Sequence, residues 1–267
     1  MQSNNCTNNY EQRTIEHNVS NVSLGLITQA VFFSAQKNNG WCDDKILGLL
    51  SSHYNQSTSL PQILEEPIQN IVDVMNEVIE IISQHKDGMK IAKRLFDRCP
   101  YTLSHSIEVA CISTLIAHKS GMSKEEQVEV GLAAVLHDIG KMFIDDNILH
   151  KSANLTFHEW IKMKKHPFYG YCLIKHANYF SEDIAIAVLS HHENNIGNGY
   201  PNMLREKEIS DYAQIIHIAD VFDALTSKRN YRLYTWDYDR AIQYIKNNMG
   251  IMFSTKYAWV LVNIFHQ

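Results

Sequence analysis

The chain has 267 residues, 45% of them hydrophobic and 20% charged, which suits one large domain or a common-sized domain with a small appendage. Its 24 basic and 29 acidic residues leave a net charge of −5 with His neutral, which excludes broad affinity for a nucleic-acid polymer or an anionic membrane surface. No apolar run reaches the ~20 residues of a membrane span, and five cysteines without CxxC spacing exclude a disulfide framework, so a cytoplasmic protein is expected.

Residues 1–23 are rich in Asn, Ser, Thr and Gln and read as a flexible tip. Leu24, Leu26, Ile27, Val31 and Phe32 suggest one short helix, and Ile46, Leu47, Leu49 and Leu50 another, before a loop at 51–62. From 64 to 96 the residues Ile68, Ile71, Val72, Met75, Val78, Ile79 and Ile82 recur at three- and four-residue spacing. This is the stripe of one long amphipathic helix or of two in succession, packed on the rest of the chain or on a second copy.

After Pro100 the pattern stays helical through Ile107, Ala110, Cys111 and Leu115. Ser123 with Glu126, and Thr156 with Glu159, have the spacing of capping boxes; the first opens a helix running to His137, the second one running towards His166. Ile184, Ala185, Val188 and Leu189 lead to His191, and Ile215, Ile218, Ala219, Phe222 and Leu225 mark another helix. Asp237 or Asp239 starts one through Ala241, Ile242 and Ile245, and Val260, Leu261, Ile264 and Phe265 lie in the last. No segment alternates convincingly as a strand. The predicted fold class is all-α, with a helical domain over 96–267 and a smaller helical region over 1–95.

Histidine is unusually frequent: 14 residues, nine of them between His105 and His192. His137-Asp138-Ile139-Gly140-Lys141 closes a strongly apolar helix. An adjacent imidazole and carboxylate suit a divalent ion, while the bland alternative is a helix end with a buried His–Asp hydrogen bond. His105 and His166 are weak signals alone. His191 and His192 are stronger, because adjacent residues at a helix end diverge by about 100° and reach different ions of a pair. Asp220 sits on an apolar helix face, where a carboxylate is costly unless metal-bound or paired, His217 being the candidate partner. Together His105, His137, Asp138, His166, His191, His192 and Asp220 make an N/O ligand set without thiolate, which favours a hydrolytic two-metal centre over structural zinc.

These segments, in this order, resemble the HD-GYP family of HD phosphohydrolases. The matching pieces are HSIEVA (105–110), HDIGK (137–141), KHP (165–167), HHE (191–193) followed by GNGYP (197–201), and IADVFDALTSKRNYR (218–232), over roughly residues 96–265. The resemblance implies an HD-type helical bundle that hydrolyses a cyclic dinucleotide, by default cyclic di-GMP, to a linear 5′-phosphorylated dinucleotide. It implies two divalent ions, iron or manganese, held by the seven ligands above with Asp138 bridging. Lys141, Arg229 and Arg232 match positions that contact phosphate, Tyr200 the tyrosine beside the substrate, and Asp223 a contact to a base. Tyr101 stands where three-metal members carry Glu, so two ions are expected. Asn194, Asn195 and Ile196 replace the usual Arg, aromatic and Asp, so the loop and its base preference are expected to differ. A preference for mixed cyclic GMP-AMP, or a metal-bearing binding module with little activity, are the alternatives. The N-terminal region is read as a surface for a signalling partner or a homodimer.

Overall fold

Six apolar side chains at helical spacing define the core face of the first helix, α1 (Glu65–Gln84): Ile71, Val74, Met75, Val78, Ile79 and Ile82 are all buried. The computed structural model describes residues 65–84, 98–227 and 235–265. The predicted tip at 1–23, the helices at 24–50 and the loop at 51–62 lie outside the described residues. Within them the chain is helical, without a strand, as the apolar periodicity predicts.

The helices follow one another as α2 (Pro100–Lys119), α3 (Lys124–Leu136), α4 (Asp146–Leu149), α5 (Phe157–Met163), α6 (His166–Ala177), α7 (Glu182–Ser190), α8 (Asp211–Thr226), α9 (Tyr238–Asn247) and α10 (Thr255–Phe265). Their starts are chemically local. Ser123 and Thr156 each accept from the backbone N–H three residues on while Glu126 and Glu159 bond back, completing both predicted capping boxes. Ser181, Ser210 and Asp237 cap α7, α8 and α9 through the side-chain half of that arrangement, each accepting from the N–H three residues on; of the two candidates for α9, Asp237 is the cap.

α2 and α3 pack on each other at the centre, α8 packs on α2, and α7 contacts α3, α6 and α8. α1 packs on both α2 and α3. The apolar stripe left open between two partners therefore finds its partner inside the same chain. Each of its buried side chains contributes about 1.5–3 kcal/mol of gross burial, and Asn70 adds a hydrogen bond to Gln127 on α3 at 2.7 Å.

Two features shape the site end of the bundle. Arg98, just before α2, donates to the carbonyls of Met142 and Ile144 and to Asp146, so the start of the central helix is tied to the turn that follows Lys141. Between α3 and α4, residues Ile139–Phe143 form a 3₁₀ turn that lies directly on the start of α6. A Cβ at Gly140 would meet the His166 carbonyl oxygen at 2.0 Å and the Gly170 nitrogen at 2.5 Å, so only glycine permits this approach.

Candidate metal centre

Every imidazole of the site sits at or near a helix terminus or on an inward face. His137 is the residue after α3, His166 opens α6, His191 and His192 follow α7, and His105 lies on α2 facing Asp220 and Asp223 of α8. Their convergence makes a cluster that no single helix contains. His105, His137, Asp138, His166 and His191 are at most 4% exposed. His192 and Asp220 are partly exposed and form the open side.

The tautomers are set by local backbone geometry. The Nδ1 of His137, His166 and His191 each donates to the carbonyl three residues earlier, Ala134, Met163 and Val188, at 2.7, 2.9 and 2.7 Å. That leaves Nε2 as a lone-pair acceptor on all three. His137 Nε2 and Asp138 Oδ1 are buried without a hydrogen-bond partner. His166 Nε2 and His191 Nε2 face each other at 3.2 Å. Two acceptors opposed at that distance repel unless a cation lies between them, so the donor set fits divalent ions bound at about 2.0–2.2 Å.

The atoms fall into two groups, His105 with His137 and Asp138, and His166 with His191 and His192, each within 4.8 Å. Asp138 joins them. Its Oδ2 lies 3.4 Å from His137 Nε2 and 3.8 Å from His105 Nε2, and its Oδ1 lies 3.2 Å from His166 Nε2. Asp220 closes the other side, 3.2 Å from His105 Nε2 and 4.0 Å from His192 Nδ1. The structure thus brings all seven candidate ligands together. His191 and His192 do not diverge as the helical angle suggested. α7 ends at Ser190, the pair lies in a turn with ring centroids 4.1 Å apart, and both face His166.

Charge follows the same pattern. Burial opposes ionisation of Asp138, but the Lys141 ammonium, 2.5 Å away, and the surrounding histidines outweigh it and hold the carboxyl well below its usual range. Asp220 is likewise depressed, by His105 and its neighbours working against burial. Burial keeps His166, His191 and His192 neutral, with their lone pairs available. Burial also opposes protonation of His105, yet the hydrogen bonds and charges of Asp220 and Asp223 raise it to about 10. This corner of the site stabilises positive charge, and a cation meets the same demand.

Asp223 has a different place from the base contact expected of it. It is 2% exposed, and its carboxylate accepts from His105 Nδ1 at 2.6 Å and from the Ser227 hydroxyl at 2.6 Å. Such a carboxylate behind an imidazole orients the ring and strengthens its Nε2 as a ligand. Asp223→Asn is expected to weaken metal binding about 10–100-fold, read by titration of the apo protein with Mn(II); unchanged affinity would remove this role. The spacing of Asp220 and Asp223, three residues apart on one face of α8, was the signal in the sequence.

His217 is not the partner of Asp220. Its Nδ1 donates to the His191 carbonyl at 2.9 Å, supporting the histidine pair from behind, where sequence spacing gave no sign of it. Glu193, 1% exposed, accepts from the backbone N–H groups of Asn202 and Leu204, at 2.6 and 3.0 Å, and clamps the glycine-rich loop. A Cβ at Gly199 would meet Glu193 Cα and the His192 carbonyl at 2.5 Å, which explains glycine in that loop. The loop sets the Tyr200 ring 4.7 Å from His192. Burial, aided by Asp220 and Asp138, pushes the phenol up, so it stays a neutral hydroxyl. Asn195, one of the departures from the usual loop, bonds the Phe253 carbonyl at 3.0 Å, while Ile196 is exposed. Arg229 and Arg232 lie outside the described residues, as does the Tyr101 side chain.

Comparison with known proteins places this geometry. The HD domain family matches residues 91–253. The chain is 35% identical over 202 residues to the cyclic di-GMP phosphodiesterase response regulator RpfG of Xanthomonas campestris, covering 75% of this chain and 53% of that protein. It is 34% identical over 168 residues to 3′3′-cGAMP-specific phosphodiesterase 2 of Vibrio cholerae, covering 62% and 31%. The chain therefore spans about half, or less, of the length of these relatives. Among solved structures, Bd1817, a HDG“Y”P protein from Bdellovibrio bacteriovorus, superposes with a TM-score of 0.54 over 84% of this chain and 80% of that one, at 17% identity, and shares the fold. No helix among the described residues is long and apolar enough to cross a membrane.

Proposed function

The chain belongs to the HD-domain family, with the motifs of its HD-GYP members, and from that premise we propose that it is a metal-dependent phosphodiesterase hydrolysing a cyclic dinucleotide. Cyclic di-GMP is the substrate we assign first, and the product is a linear 5′-phosphorylated dinucleotide. The single observation that carries the reading is the pair of opposed Nε2 atoms of His166 and His191, with the unpartnered His137 Nε2 and Asp138 Oδ1, in two donor groups joined by Asp138. The donor set suits two ions, iron or manganese. When bound, such a pair supplies a hydroxide nucleophile near neutral pH and positive charge for the phosphate oxygens.

The chain's own residues supply the rest. Asp138 and Asp220 bring the negative charge that balances the cations. Lys141, with its side chain 25% exposed beside Asp138, provides a point charge for a non-bridging phosphate oxygen. Tyr200 lines the open side next to His192, and Asp223 acts through His105. Arg229 and Arg232 are assigned to phosphate contacts, for which the planar guanidinium is suited. In the overall change water adds to phosphorus, the bond to the 3′ oxygen breaks, and that oxygen leaves with a proton.

Preference for mixed cyclic GMP-AMP is the second reading, favoured by the Asn194–Ile196 departures and by the Vibrio relative. Turnover of both dinucleotides by purified protein, reconstituted under reducing conditions with Fe(II) and with Mn(II), decides between them. Release of a linear 5′-phosphorylated product is expected. Intact substrate in every combination sinks the enzyme reading, and binding without cleavage leaves a sensor.

A further inference from the structure

Helix α5 is unusual in having no buried residue. It is held by polar ties instead: the Thr156–Glu159 capping box, the Lys151 ammonium on Glu159 at 2.5 Å, and Lys162 on Asp145 at 3.0 Å. Its aromatic and apolar side chains therefore do not serve the core. Phe157, Trp160 and Ile161 are 74%, 43% and 39% exposed. Scattered exposed apolar residues are ordinary; Trp160 differs because it continues a row that begins at the metal centre. His192 lies 4.7 Å from Tyr200 with the rings tilted by 33°, and Tyr200 lies 6.1 Å from Trp160 with the rings at 77°. Lys164, one turn after Trp160, places its ammonium 5.9 Å from the Tyr200 ring centroid.

We propose that Trp160 is a specificity-determining residue that stacks on a purine base of the substrate at the mouth of the site. Tyr200 is already engaged, by His192 stacking and by Lys164 over its ring, whereas the Trp160 indole keeps open aromatic surface. The edge-to-face corner between the two rings gives a flat base one face to stack on and one edge to meet. Lys164 beside it favours the anionic ligand. Stacking on an aromatic side chain is tolerant of base identity, so Trp160 selects for a nucleobase, not for guanine over adenine.

This role rests on the cyclic dinucleotide reading above, and the test separates the two. Wild-type, Trp160→Ala and Trp160→Phe chains, loaded with Mn(II), are assayed on cyclic di-GMP, on 3′3′-cGAMP and on bis(p-nitrophenyl) phosphate, a diester without a base. The ratio of kcat/KM on cyclic di-GMP to that on the base-free diester is expected to fall about tenfold in Trp160→Ala. The loss should lie in KM, and Trp160→Phe should restore most of it. An unchanged ratio in Trp160→Ala, or an equal fall in both variants, overturns the role while the enzyme reading stands. A wild-type chain that cleaves only the base-free diester overturns the substrate assignment and the role together.

Discussion

Asp138→Asn is expected to lower kcat/KM on a cyclic dinucleotide more than any other change among the candidate ligands, and by more than the roughly 100-fold that losing an outer-shell partner costs. Asn keeps the size of the side chain but removes its charge. Asp138 is within 3.8 Å of imidazole nitrogens from both ligand groups, so its loss affects both, whereas His137 or His166 belongs to one. Metal content per chain, measured by elemental analysis on the same samples, should fall with the activity. The variant also frees Lys141, whose ammonium is bonded to Asp138. A variant with full metal content and activity within tenfold of wild type would show that the two groups do not share this carboxylate.

Gly140→Ala carries the second large effect, although residue 140 offers no ligand. The added methyl would sit 2.0 Å from the His166 carbonyl and 2.5 Å from the Gly170 nitrogen, both backbone atoms that cannot swing aside. Either the 3₁₀ turn that starts after Asp138 or the start of α6 must move. His166 begins α6, so the distance between Asp138 and His166 changes in both cases. Misplacement of about 1 Å costs on the order of 100-fold in rate, and overpacking at a tight contact costs about 1–3 kcal/mol. Thermal unfolding and steady-state kinetics on one preparation check both. A melting temperature and rate equal to wild type would mean that the turn yields freely.

Much of the fold is legible in the sequence because its causes are local. The capping boxes at Ser123 and Thr156 act over four residues, and the apolar stripe of α1 is a property of its own spacing. The order of His and Asp motifs is legible too, and so is the family. What the stripe packs against is not, since an amphipathic face is equally satisfied by α2 and α3 of the same chain or by another copy.

The site divides along the same line. Residue types and spacing were enough to nominate seven candidate ligands, because ion chemistry demands clustered imidazole and carboxylate. Sequence distance says nothing about which atoms oppose each other across the bundle. Only the packed helices set His166 Nε2 against His191 Nε2, put Asp223 behind His105 rather than towards a base, and turn His217 to the His191 carbonyl. Only they bring Trp160 beside Tyr200, forty residues apart in the chain. Ligand identity is written in side-chain chemistry, whereas the aim of each donor depends on helix ends meeting, which is a non-local consequence of how the apolar faces pack.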